Sequence, residues 1–341
     1  MITVLEPGML TTLQDGGRTG FAHLGVPHAG AADLLSLRHA NRLVGNVDDR
    51  TAALEFTLCG PTLRFDVASV LALTGGTLDA RLDGQPVTMY QSVPVKAGQV
   101  LVCGKLSSGV RAYLAVSGGI PGTPVLGSVA TDTLSGLGAP VLRMHDVLSI
   151  ETTEMRVGFY LRIAPRFSDD ITLRILAGPH RECFAEEALR DLHERCFTVN
   201  QSSDRTGVRL NEALSLPKAP GELPSQGMTT GAIQVPGDGC PVILLPNHGT
   251  TGGYPVIATV ISADHWQLGQ LAAGTRVHFV QVDRTQALTA LREQEQALQE
   301  DILDADGPLL AARALLLLAR SNPELSELRM KQGTHQVRLR R

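Results

Sequence analysis

Glycine and proline set the first limit on this chain: 35 Gly and 19 Pro are spread through its 341 residues, between short apolar runs. Helix interiors tolerate neither residue well, so a chain interrupted this often favours strands and turns over long helices. The apolar runs agree. Leu54, Phe56 and Leu58 alternate with Ala53, Glu55 and Thr57, the period of two that belongs to a strand. Ser69 to Thr74, Gln99 to Cys103 and Val110 to Val116 read as further strands, with Gly75-Gly76, Asp83-Gly84 and Gly118-Gly119 as tight turns between them. The expected fold class is mainly β with a few peripheral helices.

Helical signals are few. Asp33 is a good N-cap for a helix with Leu34, Leu37, Ala40 and Val44 on one face. Asn41 falls inside that apolar arc, where a buried amide must find hydrogen bonds. A second helix is expected from Arg181 to Glu194, a third from Thr285 to Glu300, and a fourth from Leu309 to Arg320. The last thirteen residues, with Arg329, Lys331, Arg338, Arg340 and Arg341, read as a solvated basic tail. The chain is longer than one compact domain usually is. A polar run at Arg166 to Asp170 suggests a division into 1–165, 166–282 and a helical extension with tail over 283–341.

Composition excludes several classes. Hydrophobic content of 43% permits real cores, while a net charge of −4 and 4% aromatics argue against a nucleic-acid binder. The five cysteines are scattered, without the spacing of a disulfide framework or zinc knuckle. There is no basic leader and no run of the ~18 apolar residues that a membrane span needs. A cytoplasmic protein is expected. No phosphate-binding loop, dinucleotide fingerprint, H-E-x-x-H or G-x-S-x-G is present. No metal site is expected, and the Ala-Met-Lys-Met signature of a biotin carrier is missing too. Reactive power is therefore expected to come from partners.

What remains is three polar segments. The first runs from Thr11 through Gln14, Asp15, Gly16, Gly17 and Arg18 to Gly30-Ala31-Ala32-Asp33. It offers amide, carboxylate and guanidinium among glycines that let backbone approach a ligand; the plainer reading is a loop pinned by an Asp15–Arg18 pair. The second holds Gln234, then Thr250, Thr251, Gly252, Gly253 and Tyr254, and ends at Asp264; its hydroxyls and open backbone donors suit an oxyanion, or simply a Gly-rich hairpin. The third is Ser203 to Leu210, where Arg205 and Arg209 suit a carboxylate, or else pair with Asp204.

In this order the segments resemble one family: the biotin-dependent carboxyltransferase subunits known as allophanate hydrolase subunit 2, KipA and the C-type subunit of prokaryotic 5-oxoprolinase. The resemblance rests on Thr12-Leu13-Gln14-Asp15-Gly16-Gly17-Arg18, Gly30-Ala31-Ala32-Asp33, Ala40 to Asn46, Ala53-Leu54-Glu55, Ser203 to Leu210, Gly231 to Pro236 and Thr250 to Pro255 with Asp264. It covers about residues 1 to 282; the sequence departs from the pattern beyond Asp283 and at His28 and Ala32. It implies two cyclophilin-like β-barrels with a cleft between them. It also implies a KipI-like partner, the B-type 5-oxoprolinase chain, with the A-type chain beside it, and a small amide or lactam substrate. ATP, and in some relatives carboxybiotin, would be handled by those partners, and the isolated chain would be inactive. Within that frame Asp15 or Glu55 is the candidate base, if burial raises its pKa. Arg18, Arg205 and Arg209 are candidates to hold a carboxylate, with Gln14 and Asn41 as further substrate-binding amides. Gln234 and the Thr251, Gly252 and Gly253 backbone would take a carbonyl oxygen, and Tyr254 would close the pocket. Alternatives are a urea-type carboxyltransferase and a regulator that binds a KipI-like kinase inhibitor.

Overall fold

Period-two alternation organises both halves of the molecule. The computed structural model describes residues 1–151, 158–215, 223–304, 327–332 and 335–340. The first large sheet contains β1 (Ile2–Glu6), β2 (Thr11–Gln14), β3 (Ala53–Thr57), β4 (Thr62–Phe65), β5 (Ser69–Leu82), β6 (Gln85–Val87), β7 (Val93–Val95), β8 (Val100–Val116) and β9 (Val147–Leu148). They run in the order β2-β3-β8-β4-β1-β9, while β5 pairs with β6, β7 and β8. Along β3, β5 and β8 the alternation feeds two different cores. Leu54, Phe56, Leu71, Leu73, Leu114 and Val116 fill the inside of the curled sheet. Ala53, Val70, Ala72, Tyr113 and Ala115 face the other way and pack under Leu37, Ala40 and Leu43 of helix α1 (Leu34–Leu43). Asp33 caps that helix as its sequence suggests, accepting from the Ser36 N–H at 2.9 Å.

The glycine pair Gly75-Gly76 does not turn the chain. β5 continues through it, and the register against β8 shifts between Gly75 and Thr77. Gly75 sits at φ +83, and a Cβ there would come within 2.6 Å of the Arg111 carbonyl oxygen, so glycine here serves a bulge rather than a hairpin. Asp83-Gly84 is a turn, joining the paired Leu82 and Gln85.

The second large sheet draws on residues 170–281. It comprises β11 (Asp170–Ala177), β12 (Phe197–Thr198), β13 (Gly207–Arg209), β15 (Ala232–Gln234), β16 (Val242–Leu244), β18 (Val256–Val260) and β19 (Arg276–Gln281), ordered β12-β19-β11-β18-β15-β16-β13. Its core holds Leu173, Ile175, Ile233, Ile243, Val277 and the Phe197–Phe279 ring pair at 5.6 Å. Helix α2 (Glu186–Glu194) covers that core with Ala188, Leu189 and Leu192; a separate 3-10 turn occupies Arg181–Cys183, so the expected single helix is split. Short pairs complete the described elements: β10 (Phe159–Leu161) with β20 (Ile302–Asp304), and β14 (Gln226–Gly227) with β17 (Thr251–Gly252). Neither large sheet borrows a strand from the other. The architecture is mainly β, two curled half-barrel sheets with helices α1, α2, α3 (His265–Leu268) and α4 (Arg284–Glu300) around them.

The C-terminal region differs from expectation in two ways. α4, expected from its composition, carries a capping box between Asp283 and Gln286 and leads into β20, which returns to the first half beside α1. The basic tail is not unstructured throughout: β21 (Glu327–Gln332) and β22 (His335–Arg340) form an antiparallel pair, in keeping with the strand-like alternation of ELRMKQ and HQVRLR. The helix expected from Leu309 to Arg320 lies outside the described residues.

The halves dock closely. Gly269, after α3, approaches the α1 entrance so tightly that a Cβ would lie 2.5 Å from the Ala32 carbonyl oxygen. Its φ of −65 is accessible to any residue, so the need for glycine here is spatial. Gly269→Ala is expected to lower stability by about 1–3 kcal/mol through overpacking against backbone, read as a lower thermal unfolding midpoint. An unchanged midpoint would show that the halves adjust freely.

Candidate active site

Between the docked halves lies a continuous chain of buried polar groups, centred on Glu55 of β3. Both faces of β3 are covered, so Glu55 is 1% exposed rather than a surface strand residue. Its Oε2 accepts from the Ala32 N–H at 2.9 Å and the Tyr113 hydroxyl at 2.7 Å. Its Oε1 accepts from Arg205 Nη1, which reaches over from the other half, and lies 3.5 Å from Arg111 Nε. Arg205 Nη2 also donates to the Gly30 carbonyl at 2.6 Å and to Asn247 Oδ1 at 3.0 Å. Asn247 in turn donates to Asp132 at 2.8 Å. At the other end Arg111 donates to the Gly269 carbonyl at 2.6 Å, and Gln270 bridges Asp33 and the Arg111 carbonyl.

The condition set for Glu55 as a base, a carboxyl raised by burial, is not met. Burial pushes its carboxyl up, but Arg205 and Arg111, with the Ala32 and Tyr113 hydrogen bonds, outweigh burial and hold it below the usual 4.5. A carboxylate so held is a poor proton acceptor and a strong tether. Asp33 behaves oppositely: burial raises it to about 6 even though Ser36 and Gln270 donate to it.

The other residues that the sequence singled out fall into separate places. Asp15 and Arg18 do not pair. Asp15 accepts from Gly17 N–H, Ser128 Oγ and Val129 N–H at 2.6–2.8 Å. Arg18 donates to the carbonyls of Val125 and Ala130 at 3.1 and 2.5 Å. Together with Gln14, which donates to the Thr131 carbonyl at 3.0 Å, they lash the first polar segment to residues 125–131. Asn41 holds the Thr51 carbonyl at 2.7 Å and accepts from Asn46, so its buried amide is satisfied by the chain itself. Arg209 pairs with Asp238 at the surface, and Asp204 closes its own turn by accepting from Thr206 and Gly207. Gln234 donates to Met228 Sδ at 3.3 Å beside Gly252, under the β14–β17 pair. Gly253 follows that pair, and Tyr254 is 53% exposed.

A cavity lies elsewhere along the same seam: a cleft of about 420 Å³ whose lining includes none of those side chains. The first half contributes Gly16, His28, Ala31 and Ala32, with Leu34, Leu35 and Arg38 of α1, and Arg50. The second contributes Thr230, Leu245, Pro246, Ser262, His265 and Trp266. Leu291, Gln294 and Glu295 of α4 form a third wall, tied down by Glu295 to Arg38 at 2.5 Å and Gln294 to the Ala263 carbonyl at 2.7 Å. The cleft is apolar with a few convergent polar groups, the usual make-up of a small-molecule site. Arg38 is neutralised by Asp49 and Glu295, whereas Arg50 makes no ion pair within 4 Å among the described residues, although its charge also acts on Glu295. Sequence reasoning missed Arg38, Arg50, His265 and Glu295, because nothing local marks them; only the docking of three distant segments brings them together. No group of three or more metal-ligating side chains occurs among the described residues.

Breaking the buried pair leaves one charge stranded. Arg205→Met is expected to cost about 3–5 kcal/mol, and the Glu55→Gln/Arg205→Met double variant less than the sum of the singles. The pH dependence has a definite sign. Since Glu55 is held below 4.5 in the folded state, its contribution is in place above 4.5 and is lost as pH falls through the folded value. Chemical unfolding across pH 3–6 should show a shallower acid loss in Glu55→Gln; an identical slope would remove the tether role.

With this geometry in hand, comparison with known proteins is direct. The carboxyltransferase domain family, subdomains A and B, matches residues 24–281. The C-type subunit of Escherichia coli 5-oxoprolinase is 38% identical over 88% of this chain and 97% of that protein; the Haemophilus influenzae counterpart is 33% identical over the same shares. Urea amidolyase of Saccharomyces cerevisiae is 35% identical over 87% of this chain but only 17% of its own length. The crystal structure of Kluyveromyces lactis urea carboxylase superposes with a TM-score of 0.80 at 30% identity, covering 90% of this chain and 31% of that one. The chain thus spans nearly all of the two 5-oxoprolinase relatives and a minor part of the larger enzymes. It belongs to the carboxyltransferase domain family, subdomains A and B, whose relatives are components of oxoprolinase- and urea amidolyase-type enzymes.

Proposed function

We propose that this chain is the C-type component of an ATP-dependent 5-oxoprolinase complex, whose interdomain cleft receives a small lactam and opens 5-oxoproline to glutamate together with partner subunits. The observation that carries the reading is its end-to-end correspondence with the Escherichia coli 5-oxoprolinase component, 97% of whose length it covers. The chemistry of the cleft supports it. Arg50, unpaired at the rim of an apolar pocket, suits the substrate carboxylate. The Thr230 and Ser262 side chains on the opposite wall suit a lactam carbonyl. The sequence has no phosphate-binding loop, so ATP belongs to partner chains of the B-type (KipI-like) and A-type 5-oxoprolinase kinds. The isolated chain is then an incomplete amide hydrolase, and the complex works in the cytoplasm where ATP is supplied.

A second reading is favoured by the urea amidolyase likeness: a urea-type carboxyltransferase, with carboxybiotin presented by a partner. Arg50 separates the two, because urea has no carboxylate. The co-expressed complex is expected to hydrolyse ATP in dependence on 5-oxoproline. Arg50→Met should raise the KM for 5-oxoproline about tenfold or more, the loss of one charge-assisted contact worth ~1.5–3 kcal/mol, with kcat little altered. No 5-oxoproline-dependent turnover, beside urea-dependent turnover that Arg50→Met spares, would favour the second reading.

A further inference from the structure

His265 opens α3 immediately after β18 and the turn Ser262–Asp264, and it lines the cleft. Its Nε2 lies 3.1 Å from the Val260 carbonyl oxygen. A carbonyl oxygen can only accept, so Nε2 carries the ring proton and the lone pair of the neutral imidazole is on Nδ1. Nδ1 makes no hydrogen bond among the described residues. The Nε2–Cδ2 edge rests against Gly231, where a Cβ would lie 2.5 Å from Nε2 and 3.2 Å from Cδ2. Gly231 therefore makes room for this ring and fixes its orientation. The Nδ1 edge is the one taken up neither by the Val260 carbonyl nor by Gly231, on a ring that lines the cleft. Burial pulls the imidazole below its usual 6.5, against the Val260 carbonyl and Asp264, so the ring is neutral at pH 7. A neutral, anchored imidazole with one unengaged lone pair in a small-molecule cleft has the equipment of an acid–base group.

We propose that His265 is the proton-transfer group of this cleft, with Nδ1 carrying a proton to the amide nitrogen of a bound lactam or amide. The inference rests on the function proposed above. In ring opening, water adds to the lactam carbonyl carbon and the C–N bond breaks with its electron pair on nitrogen. One water proton passes through Nδ1 to that nitrogen, so atoms balance and His265 ends neutral, as it began. Asp264 flanks the ring, and His28, Arg38, Arg50 and Glu295 are the other titratable or charged groups around the cleft. Glu295 is already engaged by Arg38.

The decisive variant is His265→Gln, whose amide N–H can still donate to the Val260 carbonyl but which has no basic nitrogen. In the co-expressed complex it is expected to lower kcat for 5-oxoproline by about a hundredfold or more. KM should change little, and the variant should lose an acid-side limb that the wild-type kcat/KM profile shows below pH 6.5. A merely structural His265 would be rescued by glutamine, so wild-type kcat and pH profile in His265→Gln overturn the inference. Should that variant fail to assemble, the wild-type profile decides: a single acid-side limb below 6.5 supports it, and a profile with no acid-side limb down to the pH at which the complex unfolds overturns it. A wild-type complex without 5-oxoproline-dependent turnover overturns the proposed function and this inference with it. Normal wild-type turnover beside an equally active His265→Gln overturns the inference alone.

Discussion

A carboxylate buried between two half-barrels must be compensated from both sides, and that requirement shapes the centre of this molecule. Glu55 sits on a strand of the first sheet, yet one of its two guanidinium partners, Arg205, comes from the second. Removing either charge would strand the other in a medium that solvates it poorly. The pair therefore makes the docking of the halves specific as well as tight. Gly30, Ala32, Asn247, Asp132, Arg111 and Gln270 extend it into a network in which each polar group has a defined partner across or along the seam.

The cleft is a consequence of that docking. Ala31 and Ala32 belong both to the backbone that Glu55 grips and to the cleft wall, while Gly269 lies hard against Ala32 on the other side. Fixing Glu55 thus fixes the Ala31–Ala32 wall of the cleft against the second half. Helix α4 lies outside the matched family region, at 284–300 against 24–281, yet it supplies Leu291, Gln294 and Glu295 to the same cavity.

The strands of the first half and helix α1 were legible because their signals are local: alternation in Leu54 to Thr57, and an N-cap at Asp33 ahead of a helical stripe. The Gly75-Gly76 bulge was misread because a glycine pair marks a positive φ without saying whether the chain reverses there or only shifts register. The polar segments were correctly noticed as unusual. Their most conspicuous side chains, however, are consumed by the scaffold: Asp15, Arg18 and Gln14 on the 125–131 segment, and Asn41 on the loop after α1.

By itself the sequence determined the β-rich class, the start of α1 and the family, since these depend on local periodicity, a local cap and motifs that survive in order along the chain. The tertiary structure alone decided what each charged residue does. Arg205 and Arg209 are four positions apart and chemically identical, yet one is buried against Glu55 and the other pairs with Asp238 at the surface. The difference is that a charge takes its role from the dielectric and the counter-charge around it. Both are set by residues more than a hundred positions away for Arg205, and by a nearby surface turn for Arg209.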